Sequence, residues 1–239
     1  MTTRLLVSAA SSDDARAAVE GGAAIVDAKD PAAGPLGPVP IDVFHAIVAT
    51  VTGARPVTAA LGDARDQSAI EALARDFATA GASLVKVGFA GTSDIRMADA
   101  LARAAVRGAA AGRRTAGVVL VAYADAVRNA VSPAALLEVA STAGAAGVLL
   151  DTADKGGPRL TELKAPAWIA EWVRLAHRRS LSVALAGRLR AEDLPIVAAC
   201  GADIAGVRGA ACDGGRNGRI SAARVRELTR ACAHEAVSL

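Results

Sequence analysis

The sequence predicts a single (β/α)8 barrel, a closed ring of eight parallel strands surrounded by helices. Three observations predict this fold. Short apolar segments, often β-branched, alternate with amphipathic segments, and the pair repeats eight times. The length of 239 residues is close to the ~250 residues of a typical barrel of this kind. No linker, low-complexity segment or second domain interrupts the alternation, so residues 1–239 are predicted to form one domain.

Each predicted element follows from its local pattern. The strands are the short apolar segments Leu5–Ala9, Ala24–Lys29, Pro56–Leu61, Leu84–Phe89, Val118–Ala124, Val148–Thr152, Ser182–Ala186 and Ile204–Val207. The helices are the longer amphipathic segments 12–21, 40–51, 67–80, 94–111, 133–143, 166–179, 191–200 and 221–236. Capping residues mark their ends, such as Ser132 before a helix and Gly144 after it. An open doubly wound sheet is the alternative, but residues 7–12 lack the glycine-rich fingerprint of dinucleotide-binding sheets.

Composition argues against several classes of protein. The net charge is only +3 and aromatic residues make up 3%, so nothing indicates a basic, stacking surface for nucleic acid. The mean hydropathy of +0.35 reflects alanine, and no apolar run approaches the ~18 residues of a membrane span. A strand at residues 5–8 leaves no room for a signal peptide. The three cysteines form no CxxC pair or even-numbered framework, which predicts reduced thiols and a cytoplasmic location.

Lysine is used sparingly, and in particular places. Only four of the 27 Lys and Arg residues are lysines, which leaves 23 arginines. Lys29, Lys86 and Lys155 follow predicted strands or lie within them, whereas Lys164 precedes a helix and is predicted to be a surface cation. An amine can lose its proton in a desolvated site and act as a nucleophile or base, and a guanidinium cannot. The first three lysines are therefore predicted to serve chemistry.

Further candidates lie where predicted strands end, the edge at which such barrels carry their active sites. They are Asp27, Asp63, Tyr123, Asp125, Asp151, Gly187, Arg188, Arg208 and Gly209. Amines and carboxylates in one ring can form and resolve a carbinolamine. Asp27 and Lys29 are two residues apart and should share the inner face of a strand. Lys86 should point inward, lie deeper than Lys29 and have its pKa lowered by apolar layers, and like-charge repulsion should lower the pKa of both lysines. For Asp63, Asp125 and Arg188, ion pairs that tie loops together are the alternative.

The segments after strands 7 and 8 are rich in glycine and arginine. In (β/α)8 enzymes these loops often hold phosphate through backbone N–H groups, and arginine can bind phosphate through two hydrogen bonds. The sequence therefore predicts phosphate binding at Gly187, Arg188, Arg208 and Gly209. Glycines that serve only as loop residues are the alternative.

The remaining candidates carry weaker signals. The three histidines, His45, His177 and His234, fall in predicted helices without metal-ligand spacing, so no metal site is predicted. Cys212 is interpreted as a small loop residue. Trp168 and Trp172 share one helix face, which favours the core or a subunit contact. A homo-oligomer is expected.

Several segments together resemble one family. They are Asp27-Ala28-Lys29-Asp30-Pro31, Gly34-Pro35-Leu36-Gly37, Val85-Lys86-Val87-Gly88, Tyr123-Ala124-Asp125-Ala126, Leu150-Asp151-Thr152-Ala153 with Lys155-Gly156, Leu185-Ala186-Gly187 and Gly206-Val207-Arg208-Gly209-Ala210-Ala211-Cys212. In this order they resemble (5-formylfuran-3-yl)methyl phosphate synthase, the first committed enzyme of methanofuran biosynthesis. The resemblance runs from strand 1 to the loop after strand 8.

The resemblance implies an activity and roles for four residues. It implies a cofactor-free barrel that joins two glyceraldehyde 3-phosphate molecules into 4-(hydroxymethyl)-2-furancarboxaldehyde phosphate, with loss of one phosphate and water. Lys29 would be the Schiff-base lysine and Lys86 the proton acceptor, with Asp151 and Lys155 as further site residues. The Ala- and Arg-rich composition suggests a bacterial member, which would fit methylotrophic formaldehyde oxidation through a methanofuran analogue.

Two alternatives remain open at this stage. One is a class I aldolase or sugar-phosphate isomerase that uses the same lysines on one phosphorylated substrate. The other is a non-catalytic barrel that binds a ligand or acts as an assembly subunit.

Overall fold

The barrel is closed, as the sequence predicts. A computed structural model of the chain describes residues 2–112, 116–125 and 129–233. Eight parallel strands pair in chain order, and the last pairs with the first. They are β1 (Arg4–Ala9), β2 (Ile25–Ala28), β3 (Val57–Asp63), β4 (Leu84–Gly88), β5 (Gly117–Tyr123), β6 (Gly147–Asp151), β7 (Ser182–Leu185) and β8 (Ile204–Val207). The open-sheet alternative is therefore wrong.

The predicted helices are also present in the described residues, although residues 234–236 of the last predicted helix lie outside them, and several short elements are added. The helices are α1 (Ser12–Glu20), α2 (Ile41–Val51), α3 (Gln67–Thr79), α4 (Ile95–Ala110), α5 (Pro133–Ala143), α6 (Leu160–Leu163), α7 (Pro166–His177), α8 (Leu194–Ala199) and α9 (Ala222–Ala233). Helix α6 and a small antiparallel pair, β9 (Cys212–Asp213) and β10 (Arg219–Ile220), lie in the loops after β6 and β8. They are too short to show periodicity, so the sequence did not predict them.

Cap chemistry sets the helix ends much as expected. Ser132 caps α5 by accepting a hydrogen bond from the N–H of Ala135, and Gly144 ends that helix in the left-handed conformation, with φ of 75°. At α1 the cap is Ser11, whose side chain accepts from the N–H of Asp14.

The strands divide the core into an outer and an inner part. On β4, Val85 and Val87 are fully buried in the outer core between strands and helices. Inside the barrel, Leu6, Ile25 and Ile204 pack together near the N-terminal ends of the strands. This apolar packing closes one end of the barrel and leaves its C-terminal end for the polar side chains.

The structure also bears on membrane spans and on disulfide bonds. Among the described residues, no helix is both long and apolar enough to cross a bilayer. The three cysteines are buried and form no disulfide.

Candidate active site

Asp27 is the anchor of a buried polar cluster inside the barrel. The strand register places it opposite Ser8 on β1 and Thr58 on β3. The Ser8 hydroxyl donates to Asp27 Oδ2 at 3.0 Å, and the Thr58 hydroxyl donates to Oδ1 at 2.6 Å. Lys86 Nζ lies 2.5 Å from Oδ2. Asp27 has no exposed surface, so these three donors fix its orientation and balance its charge.

Lys86 points inward as predicted, but its environment differs from the prediction. The sequence suggested a desolvated amine that lies deeper than Lys29. Instead the two lysines are about equally buried, 5% exposed for Lys86 and 7% for Lys29, and Asp27 forms its ion pair with Lys86. The register explains this choice, because Lys86 lies opposite the small Ala60 of β3 and can reach across it to β2.

Lys29 is the amine whose proton affinity is perturbed. Its pKa falls from 10.5 to about 7, chiefly because burial penalises the ammonium form and secondly because Lys86 repels it. Attraction to Asp151 and Asp27 offsets only part of this effect. Within the described part of the chain, the Lys29 amine makes no hydrogen bond or ion pair. A neutral, unpaired amine that faces a cavity is a nucleophile.

A second ion pair lies at the end of β6. Lys155 Nζ is 2.6 Å from Asp151 Oδ1, which also accepts the N–H of Thr152 at 2.7 Å. Burial raises the pKa of Asp151, but attraction to Lys155 and Lys29 and these hydrogen bonds outweigh it, and the net shift is downward. Asp151 is therefore a carboxylate at neutral pH.

Asp125 positions the loop that carries Lys155. Its two carboxylate oxygens accept the backbone N–H groups of Ala153 and Asp154, at 2.9 and 2.7 Å. The Asp125 carboxylate thus points toward the loop. It is not among the residues that line the cavity, whereas a catalytic group would be. Asp125 therefore holds this loop in place through backbone hydrogen bonds, and its catalytic role stays a prediction.

Asp63 and Tyr123 form a partly buried pair at the ends of β3 and β5. The Tyr123 hydroxyl donates to Asp63 Oδ1 at 2.8 Å, and the N–H of Ala90 donates to the same oxygen at 2.8 Å. Burial, followed by the negative charge of Asp63, raises the pKa of Tyr123. Gly88 makes room for the pair, because a Cβ there would lie 2.3 Å from Asp63 Oδ1 and 2.8 Å from the Tyr123 oxygen.

One cavity of about 650 Å³ opens at the C-terminal ends of the strands. Its floor is apolar and includes Leu6 and Leu149. Its polar lining contains Ser8, Lys29, Lys86, Asp151, Lys155, Gly187, Arg188, Arg208, Gly209 and Arg216. Most of the predicted site residues thus meet in one place. In the described residues, no group of three or more His, Cys, Asp or Glu side chains is placed to hold a metal ion.

The loops after β7 and β8 both reach the cavity but contribute to it differently. Gly187, with φ of 108°, and Arg188, with φ of 58°, make a left-handed turn at the cavity. A side chain at 187 would come within 3.0 Å of Thr152, so glycine is required there. The exposed Arg188 donates to the carbonyl of Gly156 at 3.3 Å, and Gly209 lies at the cavity wall.

Arg208, which the sequence suggested for phosphate, lines the cavity but uses most of its donors within the protein. Its guanidinium donates to the carbonyls of Ser8, Arg216 and Gly218 and to the Asp14 carboxylate, at 2.8 to 3.3 Å. Four of its five N–H donors are therefore committed to the protein. Arg208 holds the β8 loop against β1 and α1.

The weaker candidates lie apart from the cavity. His45 and His177 are exposed, His177 pairs with Asp203, and His234 lies outside the described residues. Trp172 is buried and donates to the carbonyl of Pro133, whereas Trp168 is 39% exposed beneath the Lys164 amine. Burial raises the pKa of the Cys212 thiol.

Three residues of the site escaped the sequence reasoning. Ser8 and Thr58 lie within predicted strands, and their period-2 placement on the inner face was the available signal. Arg216 belongs to the glycine-rich loop after β8, where nothing in the sequence separates it from Arg208.

Fold and site together define a (β/α)8-barrel enzyme with lysines and aspartates around one cavity. Comparison with known proteins identifies the family within this class of enzyme. A sequence model described as 4-HFC-P synthase matches residues 5–229. The (5-formylfuran-3-yl)methyl phosphate synthase of Methanopyrus kandleri is 42% identical over 98% of this chain and 100% of its own. The enzyme of the same name from Methanocaldococcus jannaschii is 38% identical over 95% and 99%. The chain belongs to this family, which confirms the resemblance and excludes a non-catalytic barrel.

Relatives and solved structures extend the comparison. A Streptomyces griseus protein is 42% identical over 80% of this chain and 77% of its own. The 3-hexulose-6-phosphate synthase structure from Salmonella typhimurium has a TM-score of 0.67 at 17% identity, covering 96% of this chain and 98% of that one. A likeness at that identity supports the fold alone.

Proposed function

We propose that the protein condenses two molecules of glyceraldehyde 3-phosphate into 4-(hydroxymethyl)-2-furancarboxaldehyde phosphate through an imine on Lys29. The observation that carries the proposal is the contrast among three cavity lysines. Lys86 and Lys155 are each paired with an aspartate, whereas Lys29 is unpaired and has a pKa of about 7. About half of the Lys29 amines are neutral at pH 7, against roughly one in three thousand for an ordinary lysine.

Lys29 acts first, as the nucleophile. Its neutral amine attacks the aldehyde carbon of one triose phosphate, and the carbinolamine loses water to give a protonated imine. This step needs a proton donor for the departing oxygen. The Lys155 ammonium, held at the cavity by Asp151, is the donor that the geometry favours.

Lys86 serves proton transfer at carbon. Joining the two trioses requires that one of them lose a proton α to its carbonyl and become a carbon nucleophile. Asp27, 2.5 Å from Lys86 Nζ, stabilises the ammonium that forms when the Lys86 amine exchanges this proton with the substrate. Ser8 and Thr58 keep Asp27 in place for this exchange. Loss of phosphate and water then leads to the aromatic furan, whose stability drives the late steps.

The left-handed turn at Gly187 and Arg188 supports a phosphate site, because it brings backbone and an arginine to the cavity. We place the enzyme in the cytoplasm, in biosynthesis of methanofuran or a bacterial analogue. That analogue would serve methylotrophic one-carbon metabolism.

Incubation with glyceraldehyde 3-phosphate alone tests the function. The proposal predicts a product with the mass of two substrates less one phosphoric acid and two waters, together with a furan-aldehyde absorption band. Lys29→Arg should retain less than about a hundredth of the activity, since losing a nucleophile costs several orders of magnitude. Lys164→Arg, the matched change at the surface lysine, should not alter the rate. A non-aromatic aldol or isomer as the only product would overturn the proposal in favour of an aldolase or isomerase.

A further inference from the structure

The cavity contains an arginine whose charge the protein leaves unbalanced. Arg216, in the loop between β9 and β10, is partly buried at the cavity wall. It forms no ion pair with any carboxylate in the described residues. Burial lowers its pKa, and attraction to the more distant Asp151 offsets only part of this effect.

Three other cations of the cavity are paired, whereas within the described part of the chain the amine of Lys29 and the exposed Arg188 are not. Lys86, Lys155 and Arg208 are each paired with an aspartate, at 2.5, 2.6 and 3.2 Å. Arg208 also donates hydrogen bonds to backbone carbonyls. Among the described residues, Arg216 makes one side-chain hydrogen bond, from Nη2 to the carbonyl of Gly34 at 3.0 Å. Most of the Arg216 donors are therefore free to meet a ligand.

That single hydrogen bond also fixes where the ligand would lie. Gly34 belongs to the loop that follows β2 and Lys29, so Arg216 reaches from the β8 loop, past β1, to the loop of the proposed nucleophile. The turn at Gly187 and Arg188 serves the other side of β8, where Arg188 contacts the loop after β6. The two positions are therefore separate parts of one cavity.

We propose that Arg216 binds the phosphate group of a triose phosphate, at a position separate from the turn at Gly187 and Arg188. A guanidinium offers two parallel N–H donors that match phosphate oxygens, and a partly buried position strengthens the attraction. The inference rests on the proposed function for its choice of ligand. Two phosphorylated substrates need two anion positions, and Arg216 supplies the second.

Binding of glycerol 3-phosphate tests the inference. This compound has the phosphate and the three carbons but no carbonyl, so it cannot form an imine. Calorimetric titration should show that Arg216→Gln weakens binding about ten- to a hundredfold, the range for loss of a charge-assisted hydrogen bond. Glutamine retains a donor for the Gly34 carbonyl. Arg216→Lys, which keeps the charge without the two parallel donors, should lie between wild type and Arg216→Gln.

The matched control is Arg219→Gln. Arg219 begins strand β10 just after this loop, but its side chain is exposed and does not line the cavity, so binding should stay within about twofold. Equal affinities for wild type and Arg216→Gln would overturn the inference, as would a wild type that does not bind glycerol 3-phosphate. Failure of the proposed function looks different: binding would still depend on Arg216, but no furan would form from glyceraldehyde 3-phosphate.

Discussion

Replacing Lys29 with methionine is predicted to stabilise the folded protein, and to do so more strongly as the pH falls. Methionine is apolar and close to lysine in length, so it fills the same space without a buried amine. The wild-type amine is only 7% exposed and has no partner of its own in the described residues. Its protonation in the folded state is therefore costly.

The size of the effect follows from the two pKa values. The Lys29 pKa is about 7 in the folded protein and 10.5 in the ordinary, unfolded environment. Above pH 10.5 neither state binds the proton, and the group costs nothing. Between 10.5 and 7 the unfolded chain binds a proton that the folded protein does not, so wild-type stability falls as the pH falls. Below 7 the cost is constant, and at ~1.36 kcal/mol per pH unit it reaches about 5 kcal/mol.

Urea denaturation of wild type and Lys29→Met between pH 6.5 and 9.5 measures this cost. The stability advantage of the variant should shrink by about 3 kcal/mol between pH 7 and 9.5, because the unfolded chain gains less from protonation at the higher pH. Subtracting the unfolding free energies of the two proteins removes the pH dependence that comes from titrating groups present in both. Lys164→Met, at a surface amine, should give a difference that does not vary over this range. A constant difference for Lys29→Met as well would refute the lowered pKa and the nucleophile argument with it.

Three further substitutions test the surrounding structure by the same denaturation measurement. Asp27→Asn leaves the buried Lys86 ammonium without a counter-charge and should cost about 3 to 5 kcal/mol; a loss below about 1 kcal/mol would show that the pair does not hold the cluster together. Arg208→Met should also cost about 3 kcal/mol, since four hydrogen bonds disappear. A raised KM of Arg208→Met without loss of stability would instead indicate that Arg208 binds the substrate phosphate. Gly88→Ala should cost about 1 to 3 kcal/mol, because the new methyl group meets Asp63, and unchanged stability would show that this side chain moves freely.

The sequence was sufficient for the fold because the barrel depends on local patterns. Each strand is a short apolar segment between glycine- or serine-marked helices, and eight repeats leave little choice of topology. Elements of two to four residues, such as α6 and β9, show no periodicity, and only the structure reveals them.

The site was predictable in its membership but not in its pairing. Spacing of two placed Asp27 and Lys29 on one face, and the scarcity of lysine indicated Lys29, Lys86 and Lys155. The partner of Asp27, however, is 59 residues away in the chain, and the register of three strands decides it. The sequence predicted a lowered pKa for both lysines with Lys86 the deeper, whereas the two are about equally buried and, in the described residues, Lys29 is the one without a partner.

The two arginines of the β8 loop show the same limit. Arg208 and Arg216 lie in one glycine-rich segment, and both are ordinary phosphate candidates by composition. The carbonyls and the carboxylate that occupy Arg208 come from β1, α1 and the loop itself. Which guanidinium remains free thus depends on tertiary contacts that no local pattern encodes.

Borohydride trapping with glyceraldehyde 3-phosphate, followed by peptide mass mapping, tests the central claim most directly. An imine formed on Lys29 should be reduced to a stable adduct on the peptide that contains Lys29, in wild type and in Lys86→Arg. The adduct should be absent from Lys29→Arg, because arginine cannot form the imine under these conditions. An adduct on Lys86 that persists in Lys29→Arg would contradict the account and reverse the roles of the two lysines.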